Sequence, residues 1–355
     1  MSATSSASAE FHDDIIYPDT TPFVIVHLVC FAAIWTGVSW GMVGLCIALY
    51  AIRMFAVTAG YHRYFSHRSY KTSRFFQFVL AFLAQSSSQK SVLWWASIHR
   101  HHHKHSDAVE DSHSPRQRGF MYSHVGWIFD PRHNEDRVEP LPDFAKFPEL
   151  RFLQKWEQLP SISLGVVVFL LFHWQGLIVG FFWSTVLLYH GTFFINSLAH
   201  VHGKQRYATG DDSRNNWWLA VITGGEGWHN NHHAYQRAAR QGFRWYEVDF
   251  TFYALKALSW MGIVWELGEA PADVVRNERP LGRATIEKIA RQLASSFDVE
   301  HLKARLPHLP TIEELRARAH EMFAHSPSMD DICNRARELI EQAVAGHPQL
   351  GVATA

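Results

Sequence analysis

Two long stretches of the chain carry no Asp, Glu, Lys or Arg, one from Thr20 to Ile52 and the other from Gln158 to Gly203. Each exceeds the ~20 residues that cross a bilayer once as a helix, and each fits two helices joined by a tight turn. The turns are expected near Gly37 to Gly41 and near Trp174 to Gly176. The pattern predicts an all-α membrane protein with four transmembrane helices in two hairpins, spanning about 22–39, 42–60, 160–174 and 176–198. Phe75 to Ala84 is apolar but too short to cross, so it reads as a helix lying in the membrane interface.

Neither turn carries a Lys or Arg, whereas the polar segments carry nearly all of them, so those segments and both termini are expected to be cytoplasmic. Residues 1–20 read as a polar, acidic tail with no basic segment leading into an apolar core, unlike a cleaved signal. Residues 21–268 read as one membrane domain whose polar segments form a cytoplasmic helical cap. From 269 to 355 the character changes. Thr285-Ile-Glu-Lys and Thr311-Ile-Glu-Glu resemble capped helix starts, which predicts two or three short amphipathic helices. Such a tail docks on the cytoplasmic face, binds a partner, or packs as a solvated appendage.

The formal net charge is zero and no basic stripe appears, which argues against a nucleic-acid partner. Cys30 and Cys46 lie in the first apolar hairpin and Cys333 in the tail, so neither a disulfide framework nor a cysteine metal site is suggested. The 24 histidines change the picture, because the informative ones cluster beside the predicted membrane ends. In His62-Arg-Tyr-Phe-Ser-His67 the two rings are ~140° apart on an α-helix, so they are expected to diverge towards two different metal ions. In His99-Arg-His-His102-His103 and His229-Asn-Asn-His232-His233 the positions i, i+3 and i+4 share one face, and each triplet is expected to converge on one small volume. His200 ends the fourth predicted span, with Asn196 one turn earlier. Nine imidazoles exceed the four ligands of a structural zinc and the three of a catalytic zinc. Ligand number therefore argues for two octahedral-like ions, whereas imidazole alone does not choose among iron, zinc, copper and nickel.

The run Thr58-Ala-Gly-Tyr-His62-Arg-Tyr-Phe-Ser-His67-Arg-Ser-Tyr-Lys-Thr72, then His99-x-x-His102-His103 and Arg118-Gly-Phe-Met-Tyr-Ser-His-Val-Gly-Trp127, resembles the membrane fatty acyl desaturases. So do Asn196-Ser-Leu-Ala-His200 and Gly225-Glu-Gly-Trp-His229-Asn-Asn-His232-His233. The resemblance covers about Pro22 to Leu267 and leaves the tail unexplained. It implies a di-iron site with His62, His67, His99, His102, His103, His200, His229, His232 and His233 as ligands and Asn196 beside one iron through a water. Asp107, Asp111 and Glu226 are candidates to orient the rings. His101, His105 and His113 lie outside the matched pattern. The four residues between His62 and His67 match the branch similar to stearoyl-CoA desaturases, which implies a cis double bond at carbon 9.

An unactivated methylene has no acidic proton, so side-chain acid–base chemistry cannot remove its hydrogens, and the cofactor must supply that power. The resemblance implies dioxygen as co-substrate, reduced to water with two electrons from a donor. No haem-binding motif is visible around His301, His308, His320, His325 or His347, so no fused haem domain is expected. The donor is then external: a ferredoxin, a cytochrome b5-like protein or a flavin reductase, docked on bases such as Arg68, Lys71 and Lys104. In the animal acyl-CoA enzymes charged residues directly before the second histidine cluster help hold the CoA head group; here Ser97 and Ile98 stand there. Acyl-CoA and phospholipid-linked substrates both stay open. So do two rivals: a membrane di-iron hydroxylase or alkane monooxygenase, and a histidine-rich metal transporter.

Met54 and Tyr50 lie ~12 and ~18 Å along the second predicted span from His62, and a straight tail beyond carbon 9 of an 18-carbon chain extends roughly 11 Å. Met54 is therefore expected to end the acyl tunnel. In the stearoyl-CoA enzymes that this chain resembles, a small residue stands at the matching place with an aromatic one turn deeper, as Tyr50 is here, so the resemblance implies that the bulkier Met54 favours chains of 16 carbons or fewer.

Overall fold

The computed structural model describes residues 20–130, 141–298 and 309–345, so residues 1–19 of the predicted N-terminal tail and His301, His308 and His347 lie outside it. The chain is mostly helical. A first hairpin runs from Thr20–Val29 through a short 3-10 turn and Ala33–Thr36, reverses at Gly37, and returns as Trp40–Phe55. Gly37 takes φ +72°, a conformation glycine adopts without strain, and it stops the first limb within the expected turn. The second hairpin rises as Leu159–Gln175 and breaks at His173, where φ is 52° and ψ −154°. It returns through π-helical Gly176–Phe182 and Trp183–Asn196. The break lies one residue before the expected turn. A Cβ on Gly165 would touch the Phe181 ring at 3.6 Å, so the two limbs lie side by side.

Among the described residues two helices are long and apolar enough to cross a membrane, Trp40–Ser66 and Leu159–His200, the latter containing the break; Thr21–Thr36 is apolar but shorter. The two reversals are tied together at one end: Ser39 donates to the Gln175 side-chain oxygen at 2.9 Å, and the Gln175 amide donates to the Thr36 carbonyl at 3.2 Å. Trp35, Trp40 and Trp174 stand out there, 82%, 89% and 62% exposed, an arrangement typical of tryptophans at a lipid–water boundary. The histidine clusters gather at the opposite end.

Arg53, the only charge predicted inside a span, is buried. Its guanidinium donates to the Thr185 hydroxyl at 2.8 Å, to the Ser184 hydroxyl, and to the carbonyls of Leu49, Ser86 and Phe181. Five oxygens thus solvate the cation where water would not reach, and the three elements that supply them are pinned to one point. The Arg74–Gln85 helix begins at Ser73, whose hydroxyl accepts from the Phe76 amide, and it buries Leu80, Ala81 and Ala84 against the second limb while Phe75 faces out. The helix expected over Phe75 to Ala84 thus forms, with Leu80 packed inward and not toward a lipid boundary.

Among the described residues the tail forms a single-turn helix, Ala272–Val275, and three longer ones, Arg283–Ser295, Ile312–Met322 and Met329–Ala345, which pack around a core that includes Ile289, Leu293, Leu315, Ile332 and Ile340. Thr311 caps the second of these in a reciprocal box with Glu314, as its sequence predicts. Thr285 does not cap the first, which starts two residues earlier after Gly282. There the Leu281 amide donates to the Ser328 hydroxyl at 2.9 Å, so a tertiary contact sets the helix start.

Candidate metal centre

The second limb of the first hairpin changes its winding at Ala56, and Ala56–Ser66 is a π-helix. In that winding the amide of residue i+5 bonds back to residue i, and the His67 amide indeed donates to the His62 carbonyl at 3.2 Å. Residues five apart then stack instead of diverging. The His62 and His67 rings are 4.8 Å apart, and both join one group with His99, His103 and His232. The expectation that they serve different ions is therefore corrected, and the π-helical winding is the cause.

A second group consists of His102, His200, His229 and His233. The expectation that each triplet converges on one small volume is corrected, because both triplets divide between the two groups. On a helix i+3 and i+4 are ~100° apart on either side of i, so a triplet placed between two sites divides. In the Val92–His105 helix, His99 and His103 face the first group and His102 the second. In His229–Ala234, His232 goes to the first group while His229 and His233 go to the second.

The ring nitrogens approach closely within each group. His62 Nε2 lies 3.0 Å from His232 Nε2, His67 Nε2 2.9 Å from His99 Nε2, and His103 Nε2 3.0 and 2.9 Å from His99 and His232 Nε2. In the second group His200 Nε2 is 3.0 Å from His229 Nε2. Two nitrogens at right angles on an ion with ~2.1 Å bonds are ~3.0 Å apart, against ~3.4 Å for a tetrahedral pair. The spacing fits right-angled, octahedral-like coordination.

Four carboxylates back the rings from outside. Asp111 accepts from His102 Nδ1 at 2.9 Å, Asp107 from His200 Nδ1 at 2.9 Å, Asp211 from His233 Nδ1 at 2.8 Å, and Glu226 contacts His62 Nδ1. Each fixes the proton on Nδ1 and leaves the Nε2 lone pair facing inward. Burial alone would raise the Asp107, Asp111 and Asp211 carboxyls, but their partner imidazoles pull all three below the usual carboxylate range. Burial, reinforced by repulsion among the rings, holds His67, His99, His103, His229 and His232 well below the usual histidine value, so they stay neutral at pH 7. His102 Nε2 and His233 Nε2 are buried without a protein partner, as are Nδ1 of His103, His229 and His232. Two buried lone pairs, each set by a carboxylate behind its ring and facing no donor, are what a bound cation requires. The residues fit two metal ions.

Asp107, Asp111 and Glu226 were legible as candidates because the two aspartates follow the second cluster and Glu226 precedes the third. Asp211 and Gln241 were missed. Asp211 arrives on a loop after the fourth predicted span, where the only signal is the adjacent pair Asp211-Asp212, and the Gln241 amide approaches His62 Nδ1 at 3.2 Å from a distant turn. His113, outside the matched pattern, lies with its ring tilted 4.3 Å from that of His102 and groups with His102 and Asp111. His101 stays apart, its ring 4.6 Å from that of His105 and its Nε2 donating to the Glu110 carbonyl.

Asn196 and His99 share the lining of a cavity with Trp94, Trp95, Trp127 and Phe193. Tyr50 and Met54 are not among its lining residues. They close instead on Gly191, where an added Cβ would lie 2.9 Å from the Tyr50 hydroxyl and 3.0 Å from Met54 Cε; Thr192, the next residue, does line the cavity. The Tyr50 hydroxyl donates to the Ile222 carbonyl at 2.6 Å. Of the rim bases, Arg68 pairs with Asp143 at 3.2 Å and Lys71 with Glu266 at 2.6 Å.

The model of the fatty acid desaturase family matches residues 38–261. An sn-1 stearoyl-lipid 9-desaturase of Anabaena variabilis is 38% identical over 253 residues, 70% of this chain and 92% of the relative. Its counterpart from Synechocystis sp. is 36% identical over 259 residues, 72% of this chain and 81% of that protein. An acyl-CoA 5-desaturase of Anemone leveillei is 35% identical over 253 residues, 70% of this chain and 78% of that one.

Proposed function

The chain belongs to the fatty acid desaturase family and is an acyl desaturase, an oxidoreductase; from that premise we propose that it inserts a cis double bond at carbon 9 of a saturated acyl chain, using dioxygen and two irons. The observation that carries the reading is the division of nine histidines, seven of them buried, into groups of five and four, with nitrogen pairs 2.9–3.0 Å apart in the first group and His200 and His229 3.0 Å apart in the second, which suits two ions. The ligands are His62, His67, His99, His103 and His232 on one side and His102, His200, His229 and His233 on the other. Asn196 acts through a water beside this pair. When bound, the irons and dioxygen supply the oxidising power that removes two hydrogens from an unactivated methylene pair.

The chain's own residues position and exclude. Asp107, Asp111, Asp211 and Glu226 hold the imidazoles in the Nδ1–H tautomer, so that each ring meets the site with a lone pair. Trp94, Trp95, Trp127 and Phe193 give the cavity beside His99 apolar walls that receive methylenes and keep bulk water from the reacting carbons. Two protons and two electrons enter per turnover and two waters leave, the electrons coming from a separate ferredoxin, cytochrome b5-like protein or flavin reductase. Met54 limits chain length through its seat on Gly191.

Four spans in two hairpins account for the two tied reversals at one end and the histidines at the other, with site and termini cytoplasmic by the distribution of Lys and Arg. Ser97 and Ile98 are buried and offer no charge to a nucleotide head group, which favours a lipid-linked acyl chain over a CoA thioester. The carbon-9 assignment draws support from the spacing of His62 and His67 and from the 9-desaturase relatives.

Expression in cells that lack their own desaturase, followed by fatty-acid profiling with double-bond location, tests the reading. The expected product is a carbon-9 cis alkene two mass units below its precursor. A product heavier by one oxygen would instead mark a hydroxylase.

A further inference from the structure

We propose that the C-terminal three-helix module is a positioning element for one metal position, that of His102, His200, His229 and His233, acting through the loop at 206–213. The inference rests on the reading of the two histidine groups as metal positions. The match to the family model ends at residue 261, so the module lies outside the residues that it covers.

The loop carries contacts of two kinds on its two sides. Outward, Ala208 is 3% exposed and belongs to the module's own core, with Ile289 and Leu293. Gly210 takes φ +78° and lies so flat on the Arg283–Ser295 helix that an added Cβ would sit 3.2 Å from both Ile289 Cγ1 and Lys288 Cδ. Inward, Asp211 accepts from His233 Nδ1 at 2.8 Å. The next amide, that of Asp212, donates at 2.7 Å to Asp107 Oδ2, the same oxygen that accepts from His200 Nδ1 at 2.9 Å.

A third link runs through side chains. Arg116 Nε donates to the Asp212 carboxylate at 2.7 Å, and with the Gln292 amide turned to satisfy both groups its oxygen accepts from Arg116 at 3.0 Å. Two of the four imidazoles in this group therefore owe their orientation to a loop that the module clamps from behind. The five-histidine group takes its carboxylate from Glu226, which is not on that loop. Because a ligand constellation tolerates only about 0.5 Å of misplacement, loosening the seat is expected to weaken one metal position selectively.

The test uses the full-length protein in detergent, loaded with 57Fe and read by iron per chain and Mössbauer spectroscopy. Ile289→Asp and Ala208→Asp unseat the loop; Gly210→Ala, strained at its φ, loosens it without releasing the module and carries the test where the harsher variants fail to fold. Asp211→Asn and Glu226→Gln mark the signals of the two positions. Seat variants are expected to fall from two irons towards one, with a 10–100-fold loss of affinity, and to lose the signal that Asp211→Asn loses and Glu226→Gln keeps. Retention of both wild-type signals although the module has become protease-sensitive would overturn the proposal, as would loss of both irons in step. A wild-type chain that binds no metal would overturn the metal reading beneath it as well.

Discussion

Asp107→Asn removes a buried negative charge while keeping the shape of the side chain. Asp107 Oδ2 accepts from His200 Nδ1 and the Asp212 amide at 2.9 and 2.7 Å, and Oδ1 accepts from the Ser114 hydroxyl at 2.7 Å. An Asn oxygen can take the Oδ2 place while its amide faces Ser114, whose hydroxyl turns to accept. No hydrogen bond is lost, so the effect is the charge that makes His200 a better ligand, worth about tenfold in metal affinity, or ~1.4 kcal/mol. Asp111→Asn is expected to be worse. Its Oδ1 accepts from His102 Nδ1 and the His113 amide at 2.9 and 3.3 Å, and its Oδ2 from the Asp107 amide at 2.8 Å. All three partners are N–H donors, so the new amide must face one of them and leave it unsatisfied, at a further cost of about 1–3 kcal/mol. The expected loss is therefore about 50-fold or more. Competition against a chelator of known affinity on the purified protein measures both. Wild-type affinity in both variants, or a larger loss in Asp107→Asn than in Asp111→Asn, would refute the account of the supporting carboxylates.

His102→Ala and His232→Ala each remove one nitrogen from a different group and are expected to abolish desaturation while membrane insertion, read by fractionation, stays intact. Met54→Ala is expected to move the product ratio from 16 towards 18 carbons and Met54→Trp the other way; unchanged profiles in two active variants would release Met54 from that role. Gly227→Ala is expected to prevent stable folding, because its Cβ would lie 2.1 Å from the Ala220 nitrogen and 2.4 Å from the Asn216 oxygen, whereas Gly41→Ala, with nothing within 4 Å, is expected to leave the thermal midpoint unchanged.

The hairpin turns were legible because a charge-free run too long for one span must fold back, and glycine marks where the first does so. The histidines that the fold gathers were legible too, but their partition into two groups was not. A sequence read at 3.6 residues per turn sends His62 and His67 apart, and only the π-winding at 56–66 brings them together. The splitting of each triplet depends on where its helix lies relative to two sites, which spacing does not encode. Asp211 reaches His233 through a loop held by the tail, a tertiary arrangement with no local signature. Thr311 was readable because its capping box is local, and Thr285 misled because the contact of Leu281 with Ser328 fixes that helix start.

The central claim, oxidative removal of two hydrogens at a fixed place in an acyl chain by an iron-loaded site, is tested most directly with the purified, iron-reconstituted protein in vesicles. The substrate is a saturated lipid-linked acyl chain deuterated at carbons 9 and 10, supplied with dioxygen and a reductant. The product is expected to be an alkene between those carbons that has lost two deuterium atoms, formed only with iron and dioxygen present. A hydroxylated product, deuterium retained in full beside a double bond elsewhere, or equal turnover in the zinc-loaded protein would contradict it.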